Sequence, residues 1–322
     1  MSDDPLAFIR APVDWERHDT AAARATLANT LALAELRRLD LGARRFQPTE
    51  ALVAAMNAAI ASRSPLLLTG DPGTGKTTAA YFIAEYFGLG KPLHFQVRSD
   101  SGARDLRYDF DAVAYLQDAN AGDVVIPADG SDPRAQPRYL KQGKLWQAYE
   151  HAGECVLLID EIDKAPRDFP NDLLQELSDR VFDHPFGGPP VRNQGPPPIL
   201  IITSNGERVM PDPFLRRCVC CHIEMEPRLL ERILQAWDKD FADRLQPGVR
   251  DRVIPCFDKV VKRTREHGRA PGIAEFLVWL NVLAVGQVPA EALDTGTLAE
   301  LPGVACLVKM PEDLARLTKG PV

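Results

Sequence analysis

No apolar run in the 322 residues approaches the ~20 consecutive positions a helix needs to cross a bilayer. The N-terminus, MSDDPLAFIR, is acidic and lacks a signal-peptide pattern. Both absences point to a cytoplasmic protein. Excess positive charge is missing too: 38 Lys and Arg against 45 Asp and Glu leave a formal net charge of −7. Without a basic face or an interleaved aromatic and basic groove pattern, the chain has no footprint for a nucleic-acid backbone. Cysteine is sparse, and the six present (Cys155, Cys218, Cys220, Cys221, Cys256, Cys306) lie mostly in apolar segments, as reduced, buried thiols do. Only Cys218 to His222, CVCCH, has any look of a metal site. Its spacing lacks the C-x-x-C knuckle and the distant second pair of a zinc module, so a strand is expected there.

What is present is organised around Pro65 to Thr78, PLLLTGDPGTGKTT. Gly70, Gly75, Lys76 and Thr77 fit the spacing G-x-x-x-x-G-K-[ST], with an apolar run (Leu66 to Leu68) before them and a helical pattern (Ala79, Ala80, Phe82, Ile83, Tyr86, Phe87) after. Glycines let successive backbone N–H groups turn inward into an anion-binding nest, and the helix that follows aims its positive end at the same point. The stretch Gly70, Asp71, Pro72, Gly73, Thr74, Gly75, Lys76, Thr77 and Thr78 therefore reads as a phosphate cradle. In it Lys76 would reach the β- and γ-phosphates and the Thr77 hydroxyl would sit on Mg²⁺. A glycine-rich turn that merely connects strand to helix would not need the full motif in this context.

About 85 residues downstream, the apolar run Cys155 to Ile159 enters Asp160-Glu161-Ile162-Asp163. An acidic pair at the carboxyl end of a buried strand is where an open α/β sheet meets a nucleotide. Asp160 is the expected Mg²⁺ residue and Glu161 the expected base for an attacking water. A third buried strand, Ile199 to Thr203, runs into Ser204-Asn205, where the Asn205 amide would bond the γ-phosphate or orient water. Arg216 and Arg217 follow on a short helix and are suited to neutralising charge on a phosphoryl group.

The rest of the chain divides coarsely. Residues 1 to 20 read as a loosely held leader, and Thr20 to Arg38 and Phe46 to Ser62 as helices, the second capped by Thr49. Leu93 to Val97 is a short strand, Asn120 to Gln136 a surface insertion and Tyr139 to His151 a helix. Asp168 to Phe182 reads as one amphipathic helix, and Pro185 to Pro198, too rich in Pro and Gly for helix or central strand, as a loop. From Leu229 the pattern is helical, and the tail from Ala290 has no evident task.

The ordered set GDPGTGKTT, LLIDEID, IITSN and PFLRRC resembles the Walker A, Walker B, sensor 1 and arginine-finger series of the AAA+ ATPases. The wording PLLLTGDPGTGKT, DLRYDFDA, QGKLWQA, APRDFPNDLLQEL and TSNGER is similar to that of the MoxR group within them, over roughly Phe46 to Ile223. The resemblance implies a P-loop α/β fold with a parallel central sheet flanked by helices, plus a small C-terminal all-α lid. Its expected divisions are a leader and helix over 1–45, a nucleotide-binding domain over 46–226, and lid and tail over 227–322. It also implies ATP and Mg²⁺ as ligands, Glu161 as catalytic glutamate and Asn205 as sensor 1. Arg217 would be the finger, with Arg216 as the alternative, acting on a neighbouring subunit's nucleotide in a hexameric ring. The implied activity is ATP hydrolysis that remodels or activates a protein partner, commonly one bearing a von Willebrand factor type A domain. The insertion Asn120 to Tyr139 and the stretch Pro185 to Pro198, where the family carries a hairpin, would then contact the client. One departure stands out: GIAEFLVWL puts Glu275 where a sensor 2 arginine is expected, with Arg269 as a substitute six residues earlier. An ATP-gated scaffold that recruits an effector with little turnover is the alternative function. Translocation of DNA or RNA, or a GTP-driven restriction motor of related fold, is opposed by the chain's acidity.

Overall fold

Five short apolar runs become the strands of one all-parallel sheet: β1 (Leu66–Thr69), β2 (Leu93–Gln96), β5 (Val156–Asp160), β8 (Ile199–Ser204) and β9 (Val219–His222), in the order β2-β5-β8-β1-β9. β5 is buried along its whole length and β1 and β8 at all but one residue, so each reads as a continuous apolar run; the edge strands β2 and β9 are half-exposed. The computed structural model describes residues 39–225, 227–237, 241, 244–265 and 270–318. The expected leader, the helix over Thr20 to Arg38 and Arg269 lie outside the described residues. Contacts define two compact units. One holds Pro48–Gly70 and Lys76–Ile223; the other holds the described residues from Glu224 onward, with 39–47 and the loop Asp71–Gly75.

In the first unit, α1 (Glu50–Ser62) starts at Thr49, whose side chain accepts a hydrogen bond from the Leu52 N–H at 3.2 Å. It packs on β1 and β9. After β1, α2 (Lys76–Phe87) buries Ala79, Ala80, Ile83 and Ala84 and lies against β5 and β8. The register sets Leu68 beside Thr203, Ile159 beside Ile202, and Gln96 beside Asp160, so the carboxyl ends of four strands open at one edge. The main core gathers Leu67, Leu157, Ile159 and Ile202 with Leu145, Tyr149, Phe169 and Phe214.

Two antiparallel hairpins interrupt this frame, and they correct three expectations. β3 (Tyr108–Phe110) pairs with β4 (Leu140–Gln142), with α3 (Ala112–Ala121) between them. The helix expected from Tyr139 therefore starts only at Lys144, as α4 (Lys144–Tyr149), because Leu140–Gln142 satisfies its backbone groups across the hairpin. The single helix expected over Asp168 to Phe182 is instead two short ones, Phe169–Asp172 and Leu174–Asp179, which end at Arg180 with φ 54°. The last two residues of that stretch form β6 (Val181–Phe182), paired with β7 (Val191–Arg192). Within Pro185 to Pro198 there is accordingly a strand, short enough to avoid the prolines.

The second unit is all-α. α5 (Pro227–Ala236), α6 (Val249–Arg265), α7 (Ile273–Val285) and α8 (Pro311–Leu317) enclose a core with Val253, Phe257, Phe276, Trp279, Leu280 and Leu283 at its centre. The tail has a structural task, since Leu298, Leu301, Leu307 and Leu317 are buried in the same core. Among the described residues, no helix is long and apolar enough to cross a membrane.

Trp279 is fully buried and its indole N–H donates to the Pro302 carbonyl at 2.7 Å, tying α7 to the tail. Trp279→Ala should cost about 3–5 kcal/mol through the cavity it leaves. Trp279→Phe should cost about 1–3 kcal/mol through the smaller ring and the lost bond. Urea unfolding of the two variants checks both figures.

Candidate active site

The carboxyl end of β5 carries Asp160 and Glu161, and the neighbouring strands give them separate surroundings. Asp160 is buried. Its Oδ1 accepts hydrogen bonds from the Thr203 hydroxyl at 2.5 Å and the Thr77 hydroxyl at 3.0 Å, while Oδ2 is 3.2 Å from both Thr77 Oγ1 and His94 Nε2. Burial pushes the Asp160 carboxyl up, but the bonds from His94, Thr203 and Thr77 outweigh it and leave the group below the usual carboxylate range. A depressed native pKa means that ionised Asp160 contributes stability above the ordinary carboxylate range, and that the contribution fades as pH falls through the lowered value.

Glu161 takes the opposite course because its backbone turns into the left-handed region, at φ 59° and ψ 51°. That conformation costs a non-glycine residue of order 1 kcal/mol or more. It is held by a bond from the Glu161 N–H to Thr203 Oγ1 at 2.8 Å. The turned side chain accepts on Oε1 from Asn205 Nδ2 at 3.1 Å, and on Oε2 from Gln96 Nε2 at 2.7 Å and Lys164 Nζ at 2.5 Å. The bond to Glu161 raises the Lys164 pKa, keeping the ammonium charged.

Lys76 opens α2, with its ammonium buried and donating to the Gly70 carbonyl at 2.8 Å. Thr77 follows against Asp160, and Thr78 continues the helix. The loop before Lys76 turns through Gly70, Gly73 and Gly75 at φ 145°, 81° and 91°, values that glycine takes readily and L side chains resist. The Thr74 hydroxyl donates to the Asp71 carbonyl at 2.8 Å. Within the helical unit, the Gly73 carbonyl accepts from the Ile273 N–H at 3.0 Å, and a Cβ on Gly73 would fall 3.0 Å from Glu275 Oε2. Glu275 itself caps α7, accepting from the Gly272 N–H at 3.0 Å. The Lys76 ammonium at the start of α2 and the Thr77 and Asp160 oxygens are a set of groups that fits a phosphate with its magnesium ion.

Residues 65–218 match the family model described as AAA domain, dynein-related subfamily. An AAA+ ATPase domain is what this stretch, a little under half of the chain, is similar to. That family supports ATP binding and hydrolysis in general. No curated protein matches the chain significantly. A solved structure from Cytophaga hutchinsonii, described as a "putative ATPase", aligns at 11% identity over 92% of this chain and 87% of that one, with a TM-score of 0.40. At that distance the likeness carries no argument.

The sheet brings Thr77, Asp160, Glu161 and Asn205 into one hydrogen-bonded neighbourhood through Thr203, with Lys76 next to Thr77 at the start of α2. It leaves the arginines out. Arg216 and Arg217 are exposed beyond the short helix Asp212–Leu215, and Arg217 Nη1 donates to the Pro213 carbonyl at 3.0 Å. Five further residues near Asp160 and Glu161 have no site role in the sequence reading: His94, Gln96, Asp163, Lys164 and Thr203. Asp163 is buried, and its Oδ2 accepts from the backbone N–H groups of Asn205 and Glu207, both at 3.0 Å, fixing the turn that presents Asn205. Its place in DEID was the available signal. His94 and Gln96 become visible only once β2 is known to lie beside β5.

Thr203→Val keeps the shape of the side chain but removes the hydroxyl shared by Asp160 and Glu161. The variant should lose about 2–3 kcal/mol of stability, the range for a buried hydrogen bond to a charged group with a second donor left unmet. Urea unfolding at neutral pH measures it.

Proposed function

We propose that the protein is a MoxR-type AAA+ ATPase that hydrolyses ATP in a ring and thereby remodels or activates a protein partner. The observation that carries the reading is the division of labour between adjacent carboxylates: Asp160 is tied to Thr77, and Glu161 is turned away to Asn205 and Gln96. A scaffold that only binds nucleotide has no use for the second carboxylate. The client and its domain type follow from the family resemblance, with a von Willebrand factor type A protein as the first partner to try.

Lys76 is the cation for the β- and γ-phosphates, and it stands at the positive end of α2. Thr77 and Asp160 would hold Mg²⁺, which when bound neutralises charge on the phosphates. Glu161 takes a proton from the attacking water as the water oxygen bonds the γ-phosphorus, and the bond from that phosphorus to the bridging oxygen of ADP breaks. Asn205 fixes Glu161 from the other side. Arg217 of the partner subunit, with Arg216 as the alternative, meets the charge that develops on the phosphoryl oxygens. The scaffold reading has one observation in its favour: Glu275, where an arginine is expected, is engaged as a helix cap.

ATPase activity per chain should rise steeply with protein concentration, since the finger comes from another copy. Glu161→Gln should bind ATP as the wild type does yet lose turnover by roughly 10² or more, whereas Lys76→Ala should weaken binding itself. Arg217→Ala should lower kcat by about 10³ to 10⁵. Wild-type turnover in Glu161→Gln would remove the base assignment, and bound ATP without turnover, with any partner, would favour the scaffold.

Gln96 and Lys164 compete with water for Glu161 Oε2. Gln96→Ala should raise basal kcat about fivefold, the equivalent of one net hydrogen bond of about 1 kcal/mol, at unchanged KM for ATP. Steady-state kinetics at saturating protein checks this.

A further inference from the structure

The insertion between β3 and β4 exposes apolar side chains that its own packing does not need. No residue of α3 is fully buried. Its inner side is anchored: Tyr115 meets the Tyr139 ring edge-on at 5.4 Å, and Asp118 accepts from the Tyr139 hydroxyl at 2.6 Å and Arg138 at 2.8 Å. The opposite side presents Val113 and Leu116, and the following loop adds Val125 and Ile126; these four are 58–77% exposed. Ile126 also borders an open groove of about 580 Å³, floored by Tyr115 and walled by Gly130 to Arg134.

Carboxylates outnumber cations around this patch. Between 109 and 132 the chain has six aspartates (Asp109, Asp111, Asp118, Asp123, Asp129 and Asp132) and no lysine or arginine. Arg138 neutralises Asp118 and Arg134 neutralises Asp132. The other four form no ion pair among the described residues: Asp109 faces Lys141 across the β3–β4 register, Asp111 accepts from the Ala114 N–H, and Asp129 accepts from the N–H and the side chain of Ser131. An apolar strip rimmed by unneutralised carboxylates rejects anionic lipid and nucleic acid, and would repel the same face of a second copy.

We infer that α3 and the loop through Ile126 form a docking surface for a basic amphipathic segment of a partner protein. Apolar side chains of that segment would cover Val113, Leu116, Val125 and Ile126, with its lysines or arginines facing Asp111, Asp123 and Asp129. This names the chemistry of the partner and rests on the protein-partner reading above, but not on hydrolysis.

The test is fluorescence anisotropy of the full chain with a labelled helical peptide of ~18 residues, five turns, carrying leucine on one face and lysine on the other. Leu116→Ser/Ile126→Ser should weaken binding at least about tenfold, the loss expected for two apolar anchors. Asp123→Asn/Asp129→Asn should weaken it less and flatten its salt dependence. The same peptide with glutamate for lysine should not bind, and all variants should keep wild-type melting temperature and basal ATPase rate. Equal binding by the serine variant, equal binding of the glutamate peptide, or no binding of the lysine peptide overturns the inference. So does self-association of the wild type that Leu116→Ser/Ile126→Ser abolishes in sedimentation velocity, since the face would then belong to a second copy. Peptide binding that behaves as expected in a chain without ATPase activity would sink the hydrolysis reading and leave the docking surface standing.

Discussion

One buried hydroxyl holds the acidic edge of the sheet together. Thr203 Oγ1 donates to Asp160 and accepts from the Glu161 N–H, so a single atom on β8 fixes the side chain of one acidic residue and the backbone of the next. It can do so only because β5 and β8 pair in the register that sets Ile159 beside Ile202. A slip of one residue would turn Thr203 to the other face of the sheet. The positive φ of Glu161 would then lose the bond that holds it, and the two carboxylates would crowd together instead of facing different partners.

The same economy recurs in the helical unit. Glu275 caps α7 while its carboxylate lies against Gly73, and Gly272 packs so close to the Pro72 carbonyl that a Cβ would fall 2.7 Å from it. The start of α7 and the glycine-rich loop are therefore matched at the level of backbone atoms. At Gly73 the positive φ, and at Gly272 the nearby Pro72 carbonyl, exclude a side chain other than glycine's.

Much of this was legible in the residue order. The glycine spacing before Lys76 and the apolar runs ending in Asp160 and Asn205 gave the parallel sheet and the main polar cluster, because buried parallel strands are continuous apolar segments and their ends are marked by the first polar residue. The hairpins were hidden for the converse reason. β6 and β7 are two residues each, too short for any alternation to show, and Leu140–Gln142 looked like the first turn of the helix that follows. His94 and Gln96 acquire meaning only from strand order, a long-range fact. Arg216 and Arg217 stand out in the sequence by residue type alone, and both are exposed.

The strand order also dictates when the sheet can form during synthesis. β1, near the middle of the sheet, pairs only with β8 and β9, which begin at Ile199 and Val219. At ordinary translation rates its partners emerge on the order of ten seconds after it does. Through that interval Leu66, Leu67 and Leu68 have both edges open, so the nascent chain carries an unpaired apolar strand that must be shielded until most of the protein has been made.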